Sequence, residues 1–257
     1  MLKSLRHINI DGPLKTTKVI KESNRAKYYI YDLQQNQHAL FELTRICQKL
    51  RSKSGFQDLP DIPEYFLQML SSCGAHIILA EINDALAGLL IFNKINVKNK
   101  KITFISYCSV IKDFQNLGIA KKLQIQALKF SRPDIAMGKT PNPLMFYLST
   151  NGGRKLGRFY PDLTSPIPEE IRHYASQTLT KMLKTGSNLT NDFIIKNSFS
   201  KALGDSCVRK WAPENQAQGK RINEHFRQLE NTDAQLVILV LSRTGKLKLF
   251  IRTLFPL

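Results

Sequence analysis

Six residues near the middle of the chain have the types and spacing of an anion-binding loop. The sequence QNLGIA, residues 115–120, follows an apolar, strand-like run that ends near Ile111. The segment after it carries apolar residues at intervals of three and four, which is the period of a helix. The first N–H groups of a helix have no partner within it, and the positive end of the helix dipole lies there. A strand that leads through glycine into a helix is therefore typical of a phosphate-binding site.

Positive charge is concentrated around this loop. The net charge of the chain is +18, and residues 94–160 carry 13 basic side chains against two acidic ones. Residues 163–234 carry 10 basic and 8 acidic side chains, so they are nearly balanced. A positive field centred on the loop would attract a phosphorylated cofactor or a nucleic acid. The other interpretation of the same charge is a solubilising basic surface.

Composition narrows the class of protein. A chain of 257 residues can form one domain with a large insertion or two small domains. Its longest aliphatic run, residues 236–241, is too short to span a bilayer, and its basic start lacks the apolar stretch of a cleaved secretory signal. The four cysteines form no CxxC pair and the five histidines no HxxxH pair. We expect a cytoplasmic protein with reduced thiols and no bound metal, and a translocated effector stays open.

Hydrophobic periodicity predicts the elements that position the loop. Alternation predicts strands over 27–33 and 102–111 and a hairpin over 76–96 that turns at Asn83-Asp84. Helical spacing predicts helices over 40–50, from Pro63 to Gly74, and over 120–130. The pattern further predicts a loop over 133–143, a buried strand over 144–150, and a short helix or turn over 151–160.

The rest of the chain has a different pattern. Residues 162–231 predict three helices: one from Pro168 to Gly186, one capped by Asn191 or Asp192 and running through Ala202, and one that includes residues 222–229. The chain closes with two predicted strands joined around Thr244-Gly245. Its first 26 residues are predicted to form a loosely packed arm with a short strand.

This order of elements resembles the GNAT superfamily of acyl-CoA-dependent N-acyltransferases, whose motif is Q/R-x-x-G-x-G/A. Gln115, Gly118 and Ala120 fill the motif. Val110 stands five residues before Gln115, where the family often has an apolar residue, and Gly88 stands where a small residue is common. The resemblance covers about residues 27–160 and the last two predicted strands.

The resemblance implies an α+β fold, in which helices flank a mixed, twisted sheet whose fourth and fifth strands splay apart. It implies four parts: an N-terminal arm over 1–26, an acetyl-CoA-binding core over 27–161, a helical insertion over 162–231, and a C-terminal β-hairpin over 232–257 that completes the core. The insertion has no counterpart in the resemblance.

The resemblance also implies acetyl-CoA as the cosubstrate. Its pantetheine arm would lie between the splayed strands and its pyrophosphate on the loop, where the lack of a side chain at Gly118 leaves room. Lys122 would add positive charge beside Lys121. The predicted cofactor-binding residues are Cys108, Ser109, Val110, Gln115, Asn116, Leu117, Gly118, Ile119, Ala120 and Lys121.

Acetyl transfer requires a base for the amine and an acid for the departing thiolate. The resemblance suggests Tyr160 as the acid, with Tyr147 as the second choice. The strand before the loop has no carboxylate, so Glu81 acting through water is the candidate base, while Asp113 is nearer the phosphates. Each has a structural alternative: Tyr160 as a packing aromatic and Glu81 as a polar strand residue. Cys108 could form an acyl-enzyme, although a thiol on a buried strand is more often a small apolar side chain.

Two functions follow from these observations. The first is transfer of an acetyl group from acetyl-CoA to a primary amine of an unknown acceptor, by direct attack. The alternative is a non-catalytic or weakly catalytic module of the same fold that binds nucleic acid or an acidic protein. Its basic surface would include Arg154, Lys155 and Arg158, which are interleaved with aromatic residues. The intact loop favours the enzyme.

Overall fold

Two units, each built from segments that are discontinuous in sequence, make up the chain. The computed structural model describes residues 16–23, 26–54, 63–182, 189–199 and 210–254. Unit 1 contains Met1–Ile95, Thr103–Ser131 and Thr253–Leu257, and unit 2 contains Asn96–Ile102 and Arg132–Arg252. The four parts expected from the resemblance stay a prediction.

Unit 1 is a sheet with helices on both faces. Its strands lie side by side in chain order, and the first four pair as antiparallel neighbours. The strands are β1 (Thr16–Ser23), β2 (Ala26–Asp32), β3 (Ala75–Ile82), β4 (Ala85–Val97) and β5 (Lys100–Val110), and the helices are α1 (Leu40–Lys53), α2 (Pro63–Leu70) and α3 (Ile119–Ser131).

Alternation along the strands of unit 1 separates two apolar clusters. Ile77 and Leu79 of β3 face one way and pack in the cluster that holds α1 and α2. Ile78 and Ala80 face the other way and pack in the cluster that holds α3. Because both faces of the sheet are covered, β3 and β4 are apolar along most of their length rather than alternating with polar residues.

Unit 2 is organised around one central strand. Strand β9 (Ala234–Leu241) pairs antiparallel with β6 (Ile135–Thr140), β7 (Gly157–Tyr160) and β8 (Ile194–Ile195). Its helices are α4 (Pro143–Gly153), α5 (Glu169–Met182), α6 (Ala217–Arg227) and α7 (Arg243–Leu254). The mixed α+β class predicted from the sequence is confirmed. Within the described ranges, no helix has the length and apolar character needed to cross a bilayer.

Most of the predicted elements are confirmed. The strands over 27–33 and 102–111, the hairpin over 76–96, and the helices before and after the loop are present with small shifts at their ends. Asn83 and Asp84 have φ angles of 50° and 58°, the left-handed pair that a two-residue hairpin turn requires. The helix that begins near Pro168 and the one that includes residues 222–227 are also present.

The predicted strand over 144–150 is wrong, because these residues belong to α4. The side chain of Asn142 accepts hydrogen bonds from the N–H groups of Leu144 and Met145, and Pro143 occupies the start of the helix. These capping residues outweigh the strand propensity of the apolar run. The strand lies earlier, at β6, in the stretch predicted as a loop, and its Gly138 pairs with Val237 of β9.

Three further predictions are corrected. Residues 157–160 form a strand, where a short helix or turn was predicted. The second strand of the C-terminal hairpin is instead helix α7, whose start is stabilised by a hydrogen bond from the N–H of Gly245 to the hydroxyl of Ser242. Asn191 and Asp192 lie in a turn before β8 and cap no helix. Gly186, the predicted end of one helix, and Ala202, in the second predicted helix, lie outside the described residues.

Gly157 allows β7 to approach β9 closely, and this contact can be tested. A Cβ atom at Gly157 would overlap the backbone carbonyl of Val240, whereas one at Gly152 would meet nothing within 4 Å. We expect Gly157→Ala to lower the free energy of unfolding by about 2–4 kcal/mol, because one strand must shift. Gly152→Ala, in helix α4, should be neutral or stabilising by up to about 1 kcal/mol. Chemical denaturation of both variants checks the contact, and equal effects would contradict it.

Candidate functional site

The loop between β5 and α3 has a left-handed turn at its centre. A short 3₁₀ turn over Lys112–Phe114 follows the strand, and Gln115 is extended. Asn116 and Gly118 then have φ angles of 65° and 72°. Glycine adopts this conformation at no steric cost, so the position of Gly118 in the motif has a backbone reason. Helix α3 begins at Ile119, immediately after the turn.

The side chain of Gln115 fixes the loop to two other elements. Its amide nitrogen donates to the carbonyl of Val110, 3.1 Å away at the end of β5. It also donates to the carbonyl of Ser54, 3.0 Å away at the end of α1. The hydroxyl of Ser109 donates to the hydroxyl of Ser54 at 2.8 Å, which joins β5 to the same helix end. The loop is thereby held at a fixed position on the sheet.

The loop contains backbone N–H groups that have no backbone partner within the described residues. Within the described residues, the N–H groups from Asn116 to Lys121 donate to no other backbone group, and the first intrahelical bond is from the N–H of Lys122 to the carbonyl of Gly118. A Cβ atom at Gly118 would meet nothing within 4 Å. The first turn of α3 holds no acidic residue, and Lys121 is exposed there. These features fit the binding of a phosphate or pyrophosphate group.

The last residues of β5 differ in chemistry. Cys108 packs in the cluster that holds α3, and burial raises the pKa of its thiol to about 12. A thiol with so high a pKa stays protonated at neutral pH and is a poor nucleophile, so the structure favours the apolar interpretation of Cys108 over an acyl-enzyme. The side chain of Ser109 lies on the opposite face. A Cβ atom at Gly88 would lie 2.8 Å from the backbone carbonyl oxygen of Ser109. Gly88 therefore has to lack a side chain.

The predicted base, Glu81, is buried on β3 in unit 1. Its carboxylate lies 3.5 Å from the ammonium of Lys27 and accepts a long hydrogen bond of 3.4 Å from the hydroxyl of Tyr29. β4 separates its strand from β5. The structure thus brings Val110, Ser109 and the loop together, and it places Glu81 elsewhere on the same sheet.

The two predicted tyrosines lie in unit 2. Tyr160 ends β7, where it pairs with Ile238, and its side chain is half-buried. Tyr147 is on α4 and not on a strand, and its hydroxyl donates to the side chain of Gln216 at 2.6 Å. Because that bond occupies its proton, Tyr147 is the weaker candidate for an acid. Both residues follow the true strand β6 in sequence.

One residue of this site, Ser54, was not predicted from the sequence. The carbonyl of Ser54 accepts a hydrogen bond from the amide of Gln115, 61 positions later in the sequence. Its hydroxyl accepts one from the hydroxyl of Ser109, 55 positions later. No motif or period connects residues so far apart, so only the fold reveals these contacts. Asp113, predicted near the phosphates, is exposed in the 3₁₀ turn that precedes the loop.

A sheet whose strand β5 leads through a glycine turn into the N-terminus of α3 defines an α+β protein with a candidate phosphate-binding loop. Residues 38–139 match the model of the acetyltransferase (GNAT) family, and this range contains the loop. Over this range the chain is similar to the GNAT acetyltransferase family, whose members are enzymes that use acetyl-CoA. The resemblance inferred from the motif is confirmed.

Three acetyltransferases are among the solved structures that the chain matches. The IAA acetyltransferase from Bacillus cereus is 13% identical over 84% of this chain and 99% of its own, with a TM-score of 0.42. A Bacillus subtilis acetyltransferase in complex with CoA is 15% identical over 66% and 78%, with a TM-score of 0.32. The ribosomal-protein-alanine N-acetyltransferase from Brucella melitensis is 17% identical over 42% and 74%, with a TM-score of 0.30. No curated protein sequence matches the chain. We transfer no residue role from these likenesses.

The contacts of Gln115 generate a first test of the site. Gln115→Leu removes two hydrogen bonds and leaves two buried carbonyls without this donor, so we expect a loss of about 1–3 kcal/mol in the free energy of unfolding. Amide hydrogen exchange of residues 115 and 122, whose N–H groups donate to the carbonyls of Lys112 and Gly118 on either side of the loop, should become faster. Gln124→Leu, on α3, is the control, because the side chain of Gln124 makes no hydrogen bond to another described residue. Unchanged exchange at the loop in Gln115→Leu would show that the amide does not hold it.

Proposed function

We propose that the protein transfers an acetyl group from acetyl-CoA to a primary amine by direct attack within a ternary complex. One observation carries the proposal: within the described residues, the N–H groups from Asn116 to Lys121 have no backbone partner, and a Cβ atom at Gly118 would meet nothing within 4 Å. A pyrophosphate accepts several hydrogen bonds at once, and its charge is stabilised by the positive end of α3. The identity of the amine is not part of the proposal.

On this proposal the loop and the end of β5 hold the donor. The N–H groups of the turn and of the first turn of α3 bind the pyrophosphate, and Lys121 adds a positive charge. Backbone groups of Cys108, Ser109 and Val110 pair with the pantetheine arm. Gln115 holds the loop in place and touches no ligand, because its amide is already bonded to two carbonyls.

The chemistry then requires two proton transfers. The amine must lose a proton before its nitrogen attacks the thioester carbonyl, and the departing thiolate must gain one. Glu81 is the proposed acceptor of the first proton, through water, and Tyr160 is the proposed donor of the second. An acyl-enzyme on Cys108 is disfavoured because burial raises the pKa of its thiol. Direct attack is therefore the simpler route.

The alternative function, binding of nucleic acid or an acidic protein without turnover, is supported by a separate observation. The side chains of Arg154, Lys155 and Arg158 are exposed, and within the described residues none of them forms an ion pair. Binding through such a surface would weaken steeply with salt. Steep salt dependence together with no thioester turnover on a broad panel of amines would favour this function over transfer.

Donor binding is tested by thermal unfolding. Saturating acetyl-CoA should raise the melting temperature, because a ligand that binds only the folded state stabilises it. Gly118→Trp should abolish the rise, since the indole would fill the space above the loop. Gly118→Ala is the matched variant for backbone strain at positive φ, and Gly152→Trp is the control for an added indole at another open glycine. A wild-type protein whose melting temperature does not move with acetyl-CoA would refute the proposal.

The catalytic roles are tested by release of CoA thiol with a panel of primary amines. We expect Tyr160→Phe and Glu81→Gln to lower kcat by about 10² to 10⁴-fold, the range for lost acid–base catalysis, while the shift in melting temperature caused by acetyl-CoA persists. Tyr174→Phe is the control for Tyr160→Phe, because the hydroxyl of Tyr174 donates a hydrogen bond to Glu170 on the same helix. Full turnover by Tyr160→Phe would remove that residue from the mechanism without affecting the proposed donor site.

A further inference from the structure

A cavity lies within unit 2, and none of its lining residues is predicted to bind the donor. Its volume is about 190 Å³. Helix α4 forms one wall and α6 the other, and the segment after β7 contributes two residues. The lining residues are Phe146, Thr150, Arg154, Asp162, Leu163, Gln218, Arg221 and Ile222.

Helical spacing explains why these side chains meet. Phe146, Thr150 and Arg154 are separated by four residues each, so they form one stripe along α4. Gln218 and Arg221 are three apart on α6 and share one face of that helix. The two helices are held together by the hydrogen bond between Tyr147 and Gln216 described above.

The floor of the cavity is apolar and rigid. Phe146 packs edge-to-face on Phe226, with ring centroids 5.6 Å apart, and at the same separation on Phe159. Ile222 is buried in the same cluster, and Leu163 packs against it. A ring or short aliphatic group is the kind of ligand part that such a floor accepts.

The polar groups of the cavity carry an excess of positive charge. Within the described residues, the guanidinium groups of Arg154 and Arg221 make no hydrogen bond and no ion pair, although both line the cavity. Asp162 is the only acidic lining residue, and one of its oxygens accepts the N–H groups of Thr164 and Ser165 at 2.9 Å. Burial opposes its charge, but these hydrogen bonds hold the pKa of Asp162 below its usual value, so it is ionised. Two cations and one anion leave one positive charge unbalanced.

We propose that the cavity between α4 and α6 binds a phosphate group carried by a small apolar molecule. Each guanidinium presents five N–H donors in a planar fork. One such fork can fully bind a carboxylate, whereas a phosphate has enough oxygens and charge to engage both. The apolar floor receives the body of the ligand. The site uses none of the residues of the proposed acetyl-CoA loop.

Phenyl phosphate and benzoate are matched probes, because they share a ring and differ in the anion. Calorimetric titration of the full chain, saturated with CoA to occupy the donor loop, measures the affinity for each probe. We expect phenyl phosphate to bind with a Kd below about 1 mM and benzoate to bind at least about tenfold more weakly. The double variant Arg154→Gln/Arg221→Gln should lose at least about tenfold in affinity for phenyl phosphate.

The chain supplies a control of equal charge. Lys155 and Lys220 are exposed neighbours of the two arginines and do not line the cavity. Lys155→Gln/Lys220→Gln removes the same net charge and should change the affinity less than about twofold, because only diffuse attraction is lost. An equal loss in both double variants would overturn the proposal, as would stronger binding of benzoate or no binding of phenyl phosphate. If phenyl phosphate binds only when CoA is omitted, it binds at the donor loop and the proposal is wrong.

Discussion

The amide of Gln115 is the interaction on which the candidate site depends. A loop with two left-handed residues has little regular hydrogen bonding of its own, and its useful N–H groups are those that stay unpaired. Something outside the loop must therefore hold it, and the amide does so by joining the carbonyls of Val110 and Ser54. The donors of the turn remain free because the anchor is a side chain rather than the backbone. Rigidity and open binding capacity are thus provided by different atoms.

The sequence predicted the elements of unit 1 well because their signals are local. The hairpin at Asn83-Asp84, the strand before the loop and the helix after it all follow from a period and a turn chemistry that a short window contains. Prediction failed over 133–160 and after Ser242. There the apolar runs suit a strand as well as a helix, and caps such as Asn142 decide between them. Gly138 and its flanking prolines suggested a loop. The prolines in fact lie before and after a strand that contains Gly138 and pairs along its whole length with β9.

The predictions about the candidate site follow the same rule: local features were predicted, and contacts between distant residues were not. The motif identified the loop and the direction of its donors, because a glycine turn and a helix start are local features. One of the partners that fix the loop, Ser54, lies 61 positions away in sequence, and it could not be predicted from spacing. The basic cluster at residues 154–158 was visible as a charge run, but no pattern in the sequence indicated that Arg154 and Arg221 line one cavity. Such pairs are determined by how α4 and α6 pack, and packing is a property of the whole unit.

The hydrogen bond between Gln115 and the carbonyl of Ser54 also constrains helix α1. Successive residues of an α-helix are rotated by about 100° around its axis. One residue added to or removed from α1 would turn the carbonyl of Ser54, which follows the last residue of the helix, away from the amide, although the rest of the helix could still pack its apolar side on the sheet. The length of α1 is thus tied to a glutamine 61 positions later. An insertion or deletion in this helix would present itself as a defect in the loop, far from the altered residue in sequence.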